Sequence, residues 1–403
     1  MSINSVKNAI YQMPILLMAS IFIPFWHLQR LVLRNKKIWL MGAWYGNKYS
    51  DNCRSLFEYI NNCEREILPI WLSRSVTDIN YIRSLGFKAY HIWSFWGVYY
   101  SLRAGIVIYS STKDDINKYF INGAVFINLW HAAPFKKVEQ SITCNSEYAL
   151  KLKIYKIFFP WLYPYGVKHT IILSRFFSSK IQIDFGLKEE EVFISGFPRN
   201  DNLFSEVPSE IVEEIKSTFP SSRIIMYMPT FRDYDNSYNY FLKFNFNKFQ
   251  KYLEKTNSIF LFKRHYASKI DCDFSNNDRI IDYDTFSSNQ ELYLHIKEMD
   301  VLITDYSSIF YDFLLLDKPI LLTPFDLDQY INFGRELHYS YEEIVPGPIC
   351  KNWDEVLDNL NLLSQGELAY QENIKKFKKL YHKYQDNKSS KRVFSEIYNR
   401  YLN

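Results

Sequence analysis

The sequence predicts an α/β protein built from two Rossmann-like domains. Three observations carry this. From Lys37 onward, short apolar runs alternate with amphipathic stretches. The runs fall into two consecutive series. The polar motifs come directly after them, where parallel sheets present their ligand-binding ends.

The first series comprises Ile38–Met41, Ile67–Leu72, Gly105–Tyr109, Ala124–Asn128, Thr170–Leu173 and Val192–Ser195. The second comprises Arg223–Met228, Ile259–Lys263, Arg279–Asp282, Val301–Thr304 and Pro319–Leu322. Helical patterns lie between them; Leu292, Ile296 and Met299 share one face just ahead of Val301. Such alternation implies parallel strands covered by helices. The polar stretch near Asn202–Glu210 separates the series, which gives domains at 37–204 and 205–403. Residues from Trp353 onward read as helices rich in Lys, Tyr and Glu.

At 403 residues the chain suits two domains of ordinary size. Its net charge of +4 is too weak and too dispersed for nucleic-acid binding. Five scattered cysteines without a CxxC pair give neither a disulfide framework nor a zinc site, so a reducing compartment is expected. Residues 1–36 form a separate segment. Ala9 to Gln29 carries no formal charge, and Arg30, Arg34, Lys36 and Lys37 follow. Gln12, Pro14, Pro24 and His27 dilute the run, and Trp26 beside a basic cluster suits an interface. The expectation is a cytoplasmic-face anchor in or on the membrane, with a spanning helix and a buried core helix as alternatives. No small-x-small site closes the run as in a cleaved signal.

Five motifs carry candidate chemistry. In Asn128–Lys137 (NLWHAAPFKK), His131 leaves a strand end and can accept a proton near neutral pH, while Lys136 and Lys137 can meet phosphate. A packed Trp-His turn with solvated lysines explains the same residues. In Ser195–Asp201 (SGFPRND), Arg199 and Asp201 could pair at the interdomain hinge, although a structural turn is the plainer reading. In Tyr227–Asp233 (YMPTFRD), Arg232 can hold an anionic oxygen through its forked donors or pair locally with Asp233. His265 follows Lys263 and Arg264, and a satisfied structural histidine is the plain alternative. In Asp300–Ser308 (DVLITDYSS), an apolar strand runs into a helical pattern, with Asp305 or Ser307 as helix cap. That leaves backbone N–H groups and hydroxyls to meet a pyrophosphate without a glycine-rich loop. Asp and Ser also cap helices with no ligand at all. Phe325–Tyr330 and Pro346–Pro348 follow and are expected at the same mouth.

Together these segments resemble the CDP-glycerol glycerophosphotransferase family of teichoic-acid and capsule synthesis. The matching pieces, in order, are LWHAAPFKK, SGFPRND, MYMPTFRD, FKRHY, DVLITDYSSIFYDFLLLDKPILL, FDLDQY and PGP, with GAWYGNKYSDNCRSLFEY earlier. The resemblance covers nearly everything after Lys37. It implies a GT-B architecture, two facing Rossmann-like domains with monotopic attachment to the cytoplasmic membrane face. The donor nucleotide would then sit mainly in the second domain. By the same resemblance, His131 looks like the family's general base, and His265 and Arg232 look like groups that neutralise donor phosphates. Asp305, Ser307 and Ser308 look like the pyrophosphate-binding turn, with Asp312 nearby. Ala132 and Ala133 depart from the commoner Trp-His-Gly-Thr-Pro, which bears on the acceptor more than on the reaction.

The reaction this implies is in-line displacement at the β-phosphorus of CDP-glycerol or a similar CDP-alditol. The acceptor would be an undecaprenyl-linked or polymeric envelope glycan, and CMP would leave. No cofactor is implied, and no carboxylate cluster suggests a required metal. A GT-B glycosyltransferase using a nucleotide sugar is the rival enzyme. A catalytically silent envelope-assembly or lipid-binding protein is the rival from another class.

Overall fold

The computed structural model describes residues 20–141, 146–163, 166–235, 237–265, 274, 277–367 and 370–403. Two parallel sheets organise them. The first has seven strands: β1 (Asn35–Gly42), β2 (Leu68–Ser73), β3 (Ala89–His91), β4 (Ala104–Tyr109), β5 (Val125–Asn128), β6 (His169–Ile172) and β7 (Val192–Ile194). They lie in the order β3-β2-β1-β4-β5-β6-β7. The second sheet holds β8 (Arg223–Met228), β9 (Ser258–Phe262), β10 (Ile280–Asp282), β11 (Val301–Thr304) and β12 (Ile320–Leu322), in the order β10-β9-β8-β11-β12. Every expected run becomes a strand, with ends shifted by at most three residues. The addition is β3, a three-residue edge strand whose Ala-Tyr-His is too short and mixed to read as one.

These strands are near-continuous apolar runs because helices cover both faces of each sheet. All six residues of β4 are buried. Gly105 is required there: a side-chain carbon on it would stand 2.7 Å from the Lys36 Cα, where β1 crosses closely. Alternate residues of β1 and β4 enter two different cores. Trp39, Met41, Ile106 and Ile108 join a large core that continues into the second domain. Leu40, Val107 and Tyr109 join a smaller core closed by Trp26 and Trp161. A third core, on the outer face of the second sheet, packs Phe241, Phe244, Phe249, Phe260 and Phe262 around Trp353.

Each strand order reverses once, between β1 and β4 and between β8 and β11. In open parallel sheets the ligand crevice lies outside the strand C-termini at such reversals. The segments that follow β1, β5, β7, β8, β9, β11 and β12 carry the sequence motifs.

Residues 20–28 are helical. Trp26 and Gln29 are buried, and Asn122 donates to the Trp26 carbonyl oxygen at 2.6 Å while Gln29 donates to the Tyr119 carbonyl at 2.7 Å. The start of the proposed anchor, residues 9–19, lies outside the described residues. Among those described, no helix is long and apolar enough to cross a membrane. The first sheet ends with β7 and the second begins with β8, and the last helix, Ser389–Tyr401, packs back on the first sheet. Phe394 packs 5.4 Å from Trp39, and Arg392 donates to the Ser195 carbonyl at 2.8 Å. Asp201 accepts from the backbone N–H groups of Ser389 and Ser390, each at 2.8 Å. Replacing Phe394 with Ala is expected to lower unfolding free energy by about 3–5 kcal/mol, as for other buried aromatic deletions. Urea unfolding measures this, and an unchanged midpoint would remove the returning helix from the folded core.

Candidate active site

One wall of the cleft comes from the first sheet. After β5, Trp130 takes a left-handed backbone (φ 49°), which turns His131 out of the strand. Asn52 secures this turn by donating to the Trp130 carbonyl at 2.8 Å. The His131 ring packs against Trp130 (centroids 4.4 Å) and Trp44 (5.4 Å). Its Nδ1 lies 3.3 Å from the Ser110 carbonyl oxygen. A carbonyl only accepts, so Nδ1 carries the hydrogen and Nε2 keeps its lone pair. Ser110 is itself fixed by Asp115, whose Oδ2 accepts from the Ser110 and Ser111 N–H groups and whose Oδ1 accepts from Tyr45. Burial lowers the His131 pKa from its usual range; Asp51 opposes this and Arg199 and Arg335 add to it. The imidazole is therefore neutral at pH 7.

The other wall comes from the second sheet, and here Arg232 corrects the sequence reading. Its guanidinium is buried and engaged on all sides. Nε and Nη2 grip Asp326 at 2.7 and 2.8 Å, Nη2 pairs with Asp305 at 2.9 Å, and Nη1 donates to the Thr230 carbonyl at 2.6 Å. The rings of Tyr238 and Tyr306 cover it at 4.6 and 4.8 Å. Burial would raise the Asp326 carboxyl, but the hydrogen bonds and charge of Arg232 outweigh that and hold it below the usual range. Arg232 is thus the centre of a buried triad with Asp305 and Asp326. Asp305 does not cap the following helix either. Its Oδ1 accepts from Thr230 and Tyr306 N–H groups at 2.7 and 2.6 Å, which ties the turns after β8 and β11 together.

The groups left at the cleft surface are different ones. Ser307 and Ser308 are half-buried, and the Ser307 hydroxyl accepts from Ile309 at 3.3 Å. Lys136 reaches across from the first domain and lies 5.3 Å from the Tyr330 ring. Burial, with Arg335 and Arg232 nearby, pushes its pKa down to about 7, against Asp305 and Asp233. His265 stacks on Phe231 at 5.7 Å, and burial together with Lys136, Arg335 and Lys263 pushes it down to about 4. Both shifts come first from burial, and the neighbouring cations add to it more than Asp305 and Asp233 offset it.

An interdomain seam holds Lys136 in place. Lys137 N–H donates to the Glu336 carbonyl and His338 N–H to the Phe135 carbonyl, both at 2.9 Å. His338 Nε2 lies 2.9 Å from both oxygens of buried Asp184. This pairing sets Arg335 beside Lys136; its Nε donates to Asp233 at 2.6 Å.

Asp312, expected at the donor, instead faces the hinge. Its carboxylate accepts from Arg199 (2.7 Å), Asn200 (2.9 Å) and the Tyr293 hydroxyl (2.6 Å). Arg199 pairs with Asp51 and Asp312 rather than with Asp201. Pro346–Pro348, expected at the mouth, runs along β12, with Gly347 against the Ile320 carbonyl. Electrostatic influence thus links Lys136, His265 and Arg335 to one another, and Arg335 to His131, whereas Arg232, Asp305 and Asp312 are buried in ion pairs. Sequence reasoning missed Arg335, Asp51 and Asp115. Arg335 carried no local signal, whereas Asp51 stood in the quoted Tyr-Ser-Asp-Asn fragment without a role. Among the described residues, no cluster of three or more metal-ligating side chains occurs.

The sequence model of the family described as CDP-glycerol:poly(glycerophosphate) glycerophosphotransferase matches residues 23–399. The chain is similar to the teichoic acid ribitol-phosphate polymerase TarK of Staphylococcus aureus, 31% identical over 246 residues covering 58% of this chain. It spans 47% of that protein's length, and 42% of the staphylococcal polymerase TarL. It is also 25% identical to the teichoic acid glycerol-phosphate transferase of S. aureus, across 98% of this chain and 100% of that one. Among solved structures, the wall teichoic acid polymerase TagF superposes with a TM-score of 0.76 at 20% identity, covering 100% of this chain and 99% of that chain. That likeness establishes the two-domain GT-B-like fold.

The triad makes Arg232 testable against the phosphate role. Arg232→Gln leaves Asp305 and Asp326 facing each other in a buried site and is expected to cost about 3–5 kcal/mol in thermal unfolding. Unchanged stability with a raised donor KM would restore Arg232 as a phosphate ligand.

Proposed function

The chain belongs to the CDP-glycerol:poly(glycerophosphate) glycerophosphotransferase family, and from that membership we propose its reaction. It transfers a glycerol-phosphate, or a related alditol-phosphate, from a CDP-linked donor to a lipid-linked or polymeric cell-envelope glycan and releases CMP. The observation that carries this reading is the pairing of a neutral histidine, its Nδ1 turned to the Ser110 carbonyl and its Nε2 keeping a lone pair, with a second wall where burial lowers the basicity of Lys136 and His265 beside Arg335.

The chemistry follows from that arrangement. An acceptor hydroxyl oxygen attacks the β-phosphorus of the donor, and the bond from that phosphorus to the CMP oxygen breaks. The hydroxyl proton passes to His131 Nε2, while the Ser110 carbonyl holds the opposite side of the ring. Lys136, Arg335, His265 and the hydroxyls of Ser307 and Ser308 are the groups suited to the pyrophosphate. A bound anion reverses the balance that depresses Lys136 and His265, so both gain protons as the donor arrives. His265 can then donate to the leaving CMP oxygen. Arg232, Asp305 and Asp326 support this wall from beneath and do not touch the donor.

The acceptor's lipid also has a place in this reading. Around Trp161 and Tyr119, three segments of the first domain meet: Phe22 and Trp26 of the first described helix, Trp93 before the helix Phe95–Arg103, and Phe159 after the helix Ser146–Phe158. Their outer faces expose Ile21 (81%), Phe95 (76%), Ile157 (69%), Phe158 (58%) and Trp96. An apolar patch of this kind on a soluble domain marks an interaction surface. With Arg30, Lys153 and Lys156 exposed beside it, it suits insertion into an anionic bilayer surface. Attachment on the cytoplasmic face puts the cleft where both a nucleotide donor and a lipid-linked acceptor can reach it.

Three outcomes are expected. Incubated with CDP-glycerol or CDP-ribitol and a lipid-linked acceptor, the protein releases CMP and lengthens the acceptor by one alditol-phosphate mass; release of UDP or CDP from sugar donors instead would assign it to sugar transfer. His131→Ala lowers kcat by about 10²–10⁴-fold, and the acid limb of wild-type kcat/KM lies below the ordinary histidine value of 6.5, because the base loses its proton more readily than usual. Near-wild-type turnover of His131→Ala would end its role as base. Phe95→Ser/Ile157→Ser reduces sedimentation with anionic vesicles at least about tenfold; equal sedimentation would move the membrane contact elsewhere.

A further inference from the structure

We infer that Arg199 is a positioning residue that ties the proposed base on one domain to the donor turn on the other; this rests on the reading of His131 as base. Arg199 lies on the Pro198–Phe204 segment that links the two sheets. It is buried, and its fork is shared among three elements. Nη1 reaches Asp51 Oδ1 at 2.8 Å and the His131 carbonyl oxygen at 2.7 Å. Nη2 reaches Asp312 Oδ2 at 2.7 Å. Asp51 begins the helix Asp51–Cys63 of the first domain, whereas Asp312 follows the Ser307–Ser308 turn of the second by about one helical turn. One guanidinium therefore fixes the backbone of His131 relative to the two serines across the cleft.

The surrounding backbone bears the mark of a positioning device. Asp51 (φ 71°) and Trp130 (φ 49°) are both non-glycine residues in the left-handed region, a conformation kept only where neighbours over-determine it. Those neighbours belong to the same network. Glu291 Oε2 accepts from Asp51 N–H at 3.1 Å, Arg199 holds the Asp51 carboxylate, and Asn52 donates to the Trp130 carbonyl while accepting from Arg199 N–H at 3.2 Å. The second domain contributes Tyr293, whose hydroxyl donates to Asp312. A network serving only to glue two domains has no need to end on the carbonyl of the residue that accepts the proton.

The charged and titratable groups facing His131 are Asp51 from the helix, Arg199 from the linking segment and Arg335 from the seam. The Ser110 carbonyl and the Trp44 and Trp130 rings complete its surroundings. Two substitutions separate charge from geometry. Arg199→Lys keeps a cation but loses the planar fork that spans two carboxylates and a carbonyl. Arg199→Gln keeps donors but loses the charge, leaving Asp51 uncompensated beside the ring.

The experiment uses the full chain with CDP-glycerol and a lipid-linked acceptor, and reads kcat, donor KM, the pH profile and the His131 ring titration by NMR. Arg199→Lys is expected to lower kcat by about 10–100-fold with donor KM within about threefold, the signature of a misplaced reacting group. Arg199→Gln is expected to move the His131 titration, and with it the acid limb of kcat/KM, upward. If Arg199→Gln does not fold, Asp312→Asn decides: it keeps Arg199 on Asp51 and the His131 carbonyl while removing the charge that ties it to the donor helix, and is expected to lower kcat at least about fivefold at unchanged donor KM. A lowered melting temperature with kcat and the His131 titration unchanged in the folded variants would overturn the inference. If the wild-type protein releases no CMP from any CDP-alditol, the functional reading fails instead, and the ring titration still tests Arg199.

Discussion

A buried charge has to be paired, and two arginines held between pairs of aspartates organise this protein around that constraint. Arg199 sits between Asp51 and Asp312, and Arg232 between Asp305 and Asp326. Each arrangement carries net negative charge, so neither offers a cation to a phosphate. Desolvation makes such groups costly to expose and costly to separate. They therefore act as fixed points: one at the hinge, one beneath the donor wall. The basic groups left outside these triads are Lys136 and His265, whose basicity burial lowers, together with Arg335. The proposed anionic donor would relieve that depression by supplying the opposite charge.

Parallel topology then decides where these groups meet. Both sheets reverse strand order beside their central strand, and the turns after β5, β8, β9 and β11 converge on the gap between the domains. The seam of Lys137 with Glu336 and His338 with Phe135 crosses that gap and delivers Lys136 from the first domain to the donor side. A chemistry split between two domains needs such crossings, because each wall alone holds only part of it. The apolar patch lies on the first domain, which also carries the proposed base, so the proposed lipid attachment and acceptor activation fall on the same domain.

What the sequence made legible follows the range of the interactions. Strands were readable because a sheet covered on both faces needs continuous apolar runs, and the turns after them were readable because Gly, Pro, Asp and Ser shape turns locally. The three-residue strand β3 escaped because nothing in Ala-Tyr-His distinguishes an edge strand from a loop. Arg232 looked available because its partner Asp326 stands 94 positions downstream. The Arg199–Asp51 pair spans 148 positions and was equally invisible. Asp312 was placed near the donor turn, yet its side chain faces the hinge, since a position on a helix does not fix which side its carboxylate serves. His131 was the reverse case: its placement after an apolar strand was local information, and it does follow β5.

The central claim is that the pyrophosphate is held by the cations at the cleft surface while both buried arginine triads stay intact. A crystal structure of the His131→Ala protein with CDP-glycerol bound tests it most directly. The account predicts the β-phosphate within hydrogen-bond reach of Lys136 and His265, near the Ser307 and Ser308 hydroxyls, with Arg232 still gripping Asp326. A pyrophosphate bound by Arg232, its guanidinium released from Asp326 and turned into the cleft, would contradict it.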